Sequence, residues 1–265
     1  MITTSIDLVM VGKRAPLTPD GEESAIRKTP VNGAVAVTQV GPEGDEHAYH
    51  GHGGPDKAIL HCAGEHYETY RDRYQDFIAD IHSDRRGFGE NITTRGMTEE
   101  TVCLGDRYRI GPVESGDGRA VAATDTGADA GNGDTPPITS GVRRSRRGIL
   151  VEVTGFRQPC WKLGYNAGVR EIPKVMQDEG TPGWYYRILE EGDVAAGDLI
   201  TLVERPYPEW TIAGLTKGFY LTPLDREFLE KALAIPILGG ELREYMTRRL
   251  ESGELEPWDA RLYGD

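Results

Sequence analysis

At Arg205-Pro206-Tyr207-Pro208 the periodicity of the chain changes, and the two sides require different architectures. Before this point, short β-rich segments recur at Ser5–Val11, Gly33–Val40, Asp106–Ile110, Ile149–Thr154 and Leu199–Glu204. Their period-two alternation puts successive side chains on opposite faces, the pattern of half-buried antiparallel strands. Turn signals such as Gly105-Asp106, Gly111-Pro112 and Gly197-Asp198 separate them, which favours a β-barrel over alternating βαβ units. Two helices are expected to interrupt the strands. One covers residues 64–80, with Tyr67, Tyr70, Tyr74, Phe77 and Ile78 on one stripe, and the other roughly 170–179.

The Pro-bounded stretch reads as a rigid linker, and helical spacing follows it. Thr222-Pro223-Leu224-Asp225 offers a cap, a Pro at the first helical position and an acid at the third, opening a helix through Ile235. With a short helix near Glu209 to Gly218 and a last one from Glu241 to Leu250, residues 206–265 form a small three-helix domain docked on the barrel domain, residues 1–205. The fold class is therefore mainly β with α. Residues 115–147 shift to Gly, Ala, Asp and Thr with almost no large apolar side chain, and read as a disordered insertion in a hairpin.

Composition narrows the function. The chain of 265 residues carries a net charge of -13, which repels nucleic-acid phosphates, and no basic stripe reverses that locally. No apolar run approaches the ~20 residues needed to span a bilayer, and the amino terminus lacks a signal-peptide pattern, so a cytoplasmic protein is expected. Three widely spaced cysteines, Cys62, Cys103 and Cys160, suggest free thiols. An anionic small ligand is compatible with this charge only if a pocket gathers basic side chains around it.

Three segments combine glycine-rich backbone with reactive side chains. In His50-Gly51-His52-Gly53-Gly54-Pro55-Asp56-Lys57, glycines let backbone amides approach a ligand, with Lys57 beside them. In Gly87-Phe88-Gly89-Glu90-Asn91, Glu90 and Asn91 offer an acceptor and an amide suited to a heterocycle edge. In Phe156-Arg157-Gln158-Pro159-Cys160-Trp161-Lys162, a Pro-fixed turn presents a cysteine flanked by two cations, which favour thiolate, a soft ligand suited to molybdenum or to persulfide sulfur. An inert buried cysteine is the competing reading, and the preferred one for Cys62 and Cys103. A zinc site at His47, His50, His52 and His61 lacks a second Cys or His pair to complete a tetrahedral set.

In this order the three segments, residues 52–54, 88–91 and 157–160, resemble the MOSC family, close to its YiiM group. The segment Gly180-Thr181-Pro182-Gly183-Trp184-Tyr185-Tyr186-Arg187 and the helical tail are similar to the same group. The resemblance implies a closed β-barrel around a pocket for the molybdenum cofactor (Mo-molybdopterin), held through its phosphate and pterin. It makes Cys160 the metal ligand and catalytic residue, with Lys28, His52, Gly53, Gly54, Lys57, Glu90, Asn91 and Arg157 as cofactor-binding candidates.

The activity it implies is reduction of N-hydroxylated compounds, such as hydroxylamino base analogues, in detoxification. The partners are then a small N-hydroxylated substrate and an external electron donor, a flavin or iron-sulfur reductase, since the chain has no cluster-spaced cysteines. Neither nucleic acid nor membrane is expected, and a homodimer is compatible with this reading. The alternatives are a non-catalytic carrier of the cofactor or of cysteine-bound sulfur, and an interaction module without a cofactor. No pyridoxal-phosphate domain accompanies the chain, which weakens the sulfur version.

Overall fold

The computed structural model describes residues 3–49, 51–79, 87–112 and 146–264. Seven strands close into a barrel: β1 (Thr3–Val11), β2 (Ile59–Ala63), β3 (Ile92–Thr94), β4 (Arg107–Gly111), β5 (Ile149–Phe156), β6 (Trp184–Glu190) and β7 (Leu199–Glu204). Neighbours run β1-β3-β2-β6-β5-β4-β7, and β7 returns to β1 with Thr3 opposite Thr201 and Ser5 opposite Leu199. Pairing is antiparallel except between β2 and β3, where His61 faces Ile92 in parallel. Closure removes the unpaired edges that an open sheet of this size would present.

Inward residues such as Val151, Val153, Tyr108, Ile110, Trp184 and Tyr186 are fully buried. Outward ones on β4, β5 and β6 include Arg107, Glu152 and Arg187, joined by ion pairs of 2.8 and 3.1 Å. Val35–Thr38, the one foreseen strand outside the barrel, pairs with Gly192–Val194 and Gly41–Pro42 in a small separate sheet.

The helices among the described residues are α1 (Glu65–Arg73), α2 (Trp161–Ala167), α3 (Ile172–Glu179), α4 (Ile212–Leu221), α5 (Arg226–Leu233), α6 (Gly240–Ser252) and α7 (Asp259–Tyr263). None is long and apolar enough to cross a membrane. Two expectations need correction. The helix foreseen over 64–80 ends at Arg73, because Tyr74 turns extended and Phe77 reaches Tyr67 and Tyr70 through a turn instead. Ile78 consequently stays exposed. Thr222 does not open the next helix. It terminates α4, and Asp225 is the cap of α5, its carboxylate accepting from Phe228 N at 3.1 Å. The expected insertion 115–147 lies outside the described residues apart from Arg146 and Arg147, which pair with Asp198 and Glu190.

The apolar core runs without a break from barrel to carboxyl-terminal helices. Phe156 on β5 meets Phe219 and Tyr220 of α4 at 5.3 and 5.7 Å between ring centres, and Leu238, Leu242 and Met246 join the same cluster. A second cluster, centred on Tyr67, Tyr70, Phe77 and Phe88, packs α1 and α3 outside the barrel wall and forms a floor for the site described next.

Candidate functional site

A cleft of about 650 Å³, counted out to its open mouth, lies at one side of the barrel where the three glycine-rich segments converge. Its walls include Lys28, His52, Gly53, Lys57, Asn91, Arg157 and Cys160 from the sequence candidates. Gly54 and Glu90 stand back from it, and His50 lies outside the described residues. Sequence reasoning passed over Ser24, Ile26, Glu46, Tyr49 and Tyr185, which also line it.

Each candidate is held by a local cause. Lys28 follows a turn in which its own N–H donates to Ile26 O, and Thr29–Pro30 then pairs with Met10 and Val11, which turns Lys28 inward. There it forms a buried ion pair with Asp45, the side chains only 6% and 2% exposed. Burial pushes the Lys28 pKa down, opposed by the attraction of Asp45 and, more weakly, of Glu90. Asp45 also accepts from Gly12 N at 2.8 Å and from Asn91 Nδ2 at 2.9 Å. No sequence signal marks Asp45, since its partners lie on three different segments.

Asn91 also donates to Met10 O at 3.2 Å and accepts from Leu60 N at 3.1 Å, so its amide braces β1 and β2. Glu90 is buried and accepts from Tyr67 Oη at 2.5 Å and from Phe88 N at 2.8 Å. The pair expected to grip a heterocycle edge is thus spent on the scaffold that shapes the turn.

Gly53 shows why its loop needs glycine. Its φ is +74°, and a Cβ there would meet the His47 ring at 2.5 Å. The loop continues into a 3-10 turn, Pro55–Lys57, whose Lys57 Nζ donates to Gly51 O at 2.8 Å and pairs with Glu241 of α6. His52 stands at the rim, its ring in contact with solvent while protein crowds its other side. That crowding first, and the cations Arg157 and Lys57 second, depress its pKa. His61, weighed for zinc, instead sits inside the barrel between Tyr186 Oη at 3.1 Å and Thr94 Oγ1 at 2.9 Å, its pKa pushed down to about 3 by burial.

β5 shifts register between Val153 and Gly155, and its end delivers Arg157 and then Cys160 to the cleft. Arg157 is 6% exposed, and its Nη1 has no hydrogen-bond partner among the described residues. Cys160 is part-buried with extended backbone at the start of α2, whereas Cys62 and Cys103 are buried. Burial raises the pKa of both inner thiols. Lys162 leans away to Glu22 at 2.5 Å and Glu23 O at 2.7 Å. The result is a basic cleft in an acidic protein. Lys28, Lys57 and Lys162 each have a carboxylate partner, and Arg157 holds an unanswered donor beside the one part-exposed thiol.

The MOSC domain model matches residues 48–201, more than half of the chain. The chain belongs to the MOSC family. Past the MOSC domain, a YiiM-like 3-alpha helix domain matches residues 210–253. Protein YiiM of Escherichia coli (strain K12) is 30% identical over 93% of each chain. The crystal structure of YiiM from Escherichia coli superposes with a TM-score of 0.70 at 25% identity, covering 100% of both chains. A protein named "Reductase" in Gibberella moniliformis is 28% identical over 81% of this chain, which spans 32% of that relative's length.

Proposed function

We propose that the MOSC cleft binds the molybdenum cofactor and that the chain reduces N-hydroxylated compounds, such as hydroxylamino base analogues, in detoxification. The observation that carries this reading is Arg157 Nη1, a buried guanidinium donor without a partner among the described residues, in the cavity lined by Cys160. A buried charge left unanswered is costly, and a bound anionic group would answer it. The residues present therefore fit a phosphorylated ligand carrying a thiophilic metal.

Arg157, with Lys28 and Lys57 nearby, would take the phosphate, and Cys160 would be the protein's ligand to the metal. When bound, the cofactor supplies a two-electron couple. The overall change, an N-hydroxylamine plus two electrons and two protons giving an amine and water, then needs an external donor such as a flavin or iron-sulfur reductase. His52 at the rim, in its neutral form, offers a substrate hydroxyl one N–H donor and one lone pair. The fungal relative's name supports reductive chemistry for the domain type.

Metal analysis of protein made in a cofactor-competent host, wild type beside Cys160→Ala, tests the reading. Near-stoichiometric molybdenum that disappears in Cys160→Ala supports it, and metal-free wild type overturns it. Bound cofactor without turnover of an N-hydroxylated substrate, given a reconstituted donor, would assign the chain as a carrier instead.

A further inference from the structure

The Cys160 side chain has little of its own to hold it, although its carbonyl accepts from Leu163 N at 3.0 Å. Its backbone is extended (φ -131°, ψ 165°), and its side chain makes no capping bond to α2. The peptide before it and the side chain after it are held by residues 261 and 264. Arg261 of α7 donates through Nη1 to Pro159 O and through Nη2 to Gln177 Oε1 at 2.8 Å. Gln177 is buried on α3, and the same guanidinium lies 5.3 Å from the Tyr220 ring of α4. One planar fork thus ties the cysteine turn to two helices at once, a geometry that lysine cannot reproduce in full. On the other flank, Trp161 packs on Gly264, where a Cβ would meet the indole at 3.1 Å.

We propose that Arg261 is a positioning residue for Cys160, holding the Pro159 peptide so that the thiol faces the cleft. This role rests on Cys160 being the working thiol of the proposed function. α7 lies beyond residues 210–253, so the role belongs to the last turn of chain and not to the matched three-helix domain. The two flanking contacts act on residues 159 and 161, which leaves the intervening Sγ free to meet a ligand while its backbone stays fixed.

The test is carbamidomethylation of metal-free protein by iodoacetamide, each cysteine-containing peptide quantified by mass spectrometry over a pH series. Arg261→Ala should lower the Cys160 rate by up to roughly tenfold, because a turn that loses one hydrogen bond of about 1.4 kcal/mol presents the thiol to the cleft about a tenth as often. Cys62 and Cys103, both buried, report general loosening and should keep their wild-type rates. Arg261→Lys, which retains a donor for Pro159 O, should restore most of the difference. An unchanged or faster Cys160 rate in Arg261→Ala, or a change shared by all three cysteines, would overturn the proposal. Because the readout needs no metal, it is independent of whether the cleft takes the cofactor.

Discussion

Replacing Asp45 by Asn removes one charge from the most deeply buried ion pair at the cleft. Lys28 and Asp45 expose 6% and 2% of their side chains, so neither charge has water to fall back on. Removing one partner of such a pair typically costs about 3–5 kcal/mol, because the remaining charge stays buried and uncompensated. The new amide still accepts from Gly12 N but turns a donor towards Lys28 or Asn91 Nδ2, which adds to the loss. With a urea m-value near ~3 kcal/mol/M, the midpoint should fall by roughly 1–2 M at unchanged slope. Glu230→Gln, in the exposed Arg226–Glu230 pair (70% and 54%), serves as the comparison and should leave the midpoint within scatter.

Two further readouts separate this account from a generic packing defect. Adding Lys28→Met should recover about half of the loss or more, since it removes the stranded charge. The pH dependence has a fixed sign. Burial depresses the folded pKa of Lys28, so above that pKa the unfolded chain binds more protons and stability rises with pH until about 10.4, the unfolded value. Loss of Asp45 lowers the folded pKa further, so the deficit of the variant should shrink towards alkaline pH. A midpoint shift below about 0.3 M, or a deficit that grows with pH, would refute the electrostatic reasoning.

Three other outcomes follow from the same geometry. Arg157→Met should melt no lower than wild type, because no protein partner of Nη1 is lost, yet it should forfeit stabilisation by inorganic phosphate, worth about 2.7 kcal/mol at a hundredfold excess over Kd. Equal phosphate stabilisation of both proteins would count against the cleft as an anion site. In proton NMR, His61 should show no titration step between pH 5 and 8, and its late protonation means stability falls as acidification passes the unfolded histidine value of ~6.5. Gly53→Ala should lose about 1–3 kcal/mol on calorimetry, from positive φ and the His47 ring, and a neutral result would mean the loop rearranges freely.

Part of the barrel was legible because one face of some foreseen strands is solvated, although β5, also foreseen, is buried everywhere but at Leu150. β4 alternates as expected, with Arg107 and Arg109 outside and Tyr108 and Ile110 inside, whereas β1 shifts register after Ile6 and buries Val9 and Met10 side by side. β2 escaped notice for the opposite reason: all five residues, Ile59–Ala63, are buried and carry no alternation. In β6 the run Trp184-Tyr185-Tyr186 hides the alternation, since the outward-facing Tyr185 is itself aromatic. The cleft was legible where a local motif brings a side chain to it, as at His52, Lys57 and Cys160. It was silent where the role depends on pairing across the chain. Asp45 meets Lys28, Gly12 and Asn91, and Glu241 meets Lys57 across 184 positions; neither acid has any distinguishing local pattern.

That second kind of contact changes how the carboxyl-terminal helices relate to the cleft. Asp56, inside the glycine-rich loop, accepts from Gly240 N at 3.0 Å at the start of α6, while Glu241 takes the Lys57 ammonium. Thr154 of β5 donates to Asp56 O at 2.6 Å and accepts from Gly239 N at 2.8 Å, so loop, barrel strand and helix share one hydrogen-bonded junction. A cation's grip on an anionic ligand depends on what else holds it, and a carboxylate already at Lys57 competes with an incoming phosphate for the same ammonium. The helical segment therefore fixes the position of the loop and also limits its spare positive charge. Any attraction of the cleft for an anion would therefore fall chiefly to Arg157, whose Nη1 has no hydrogen-bond partner among the described residues.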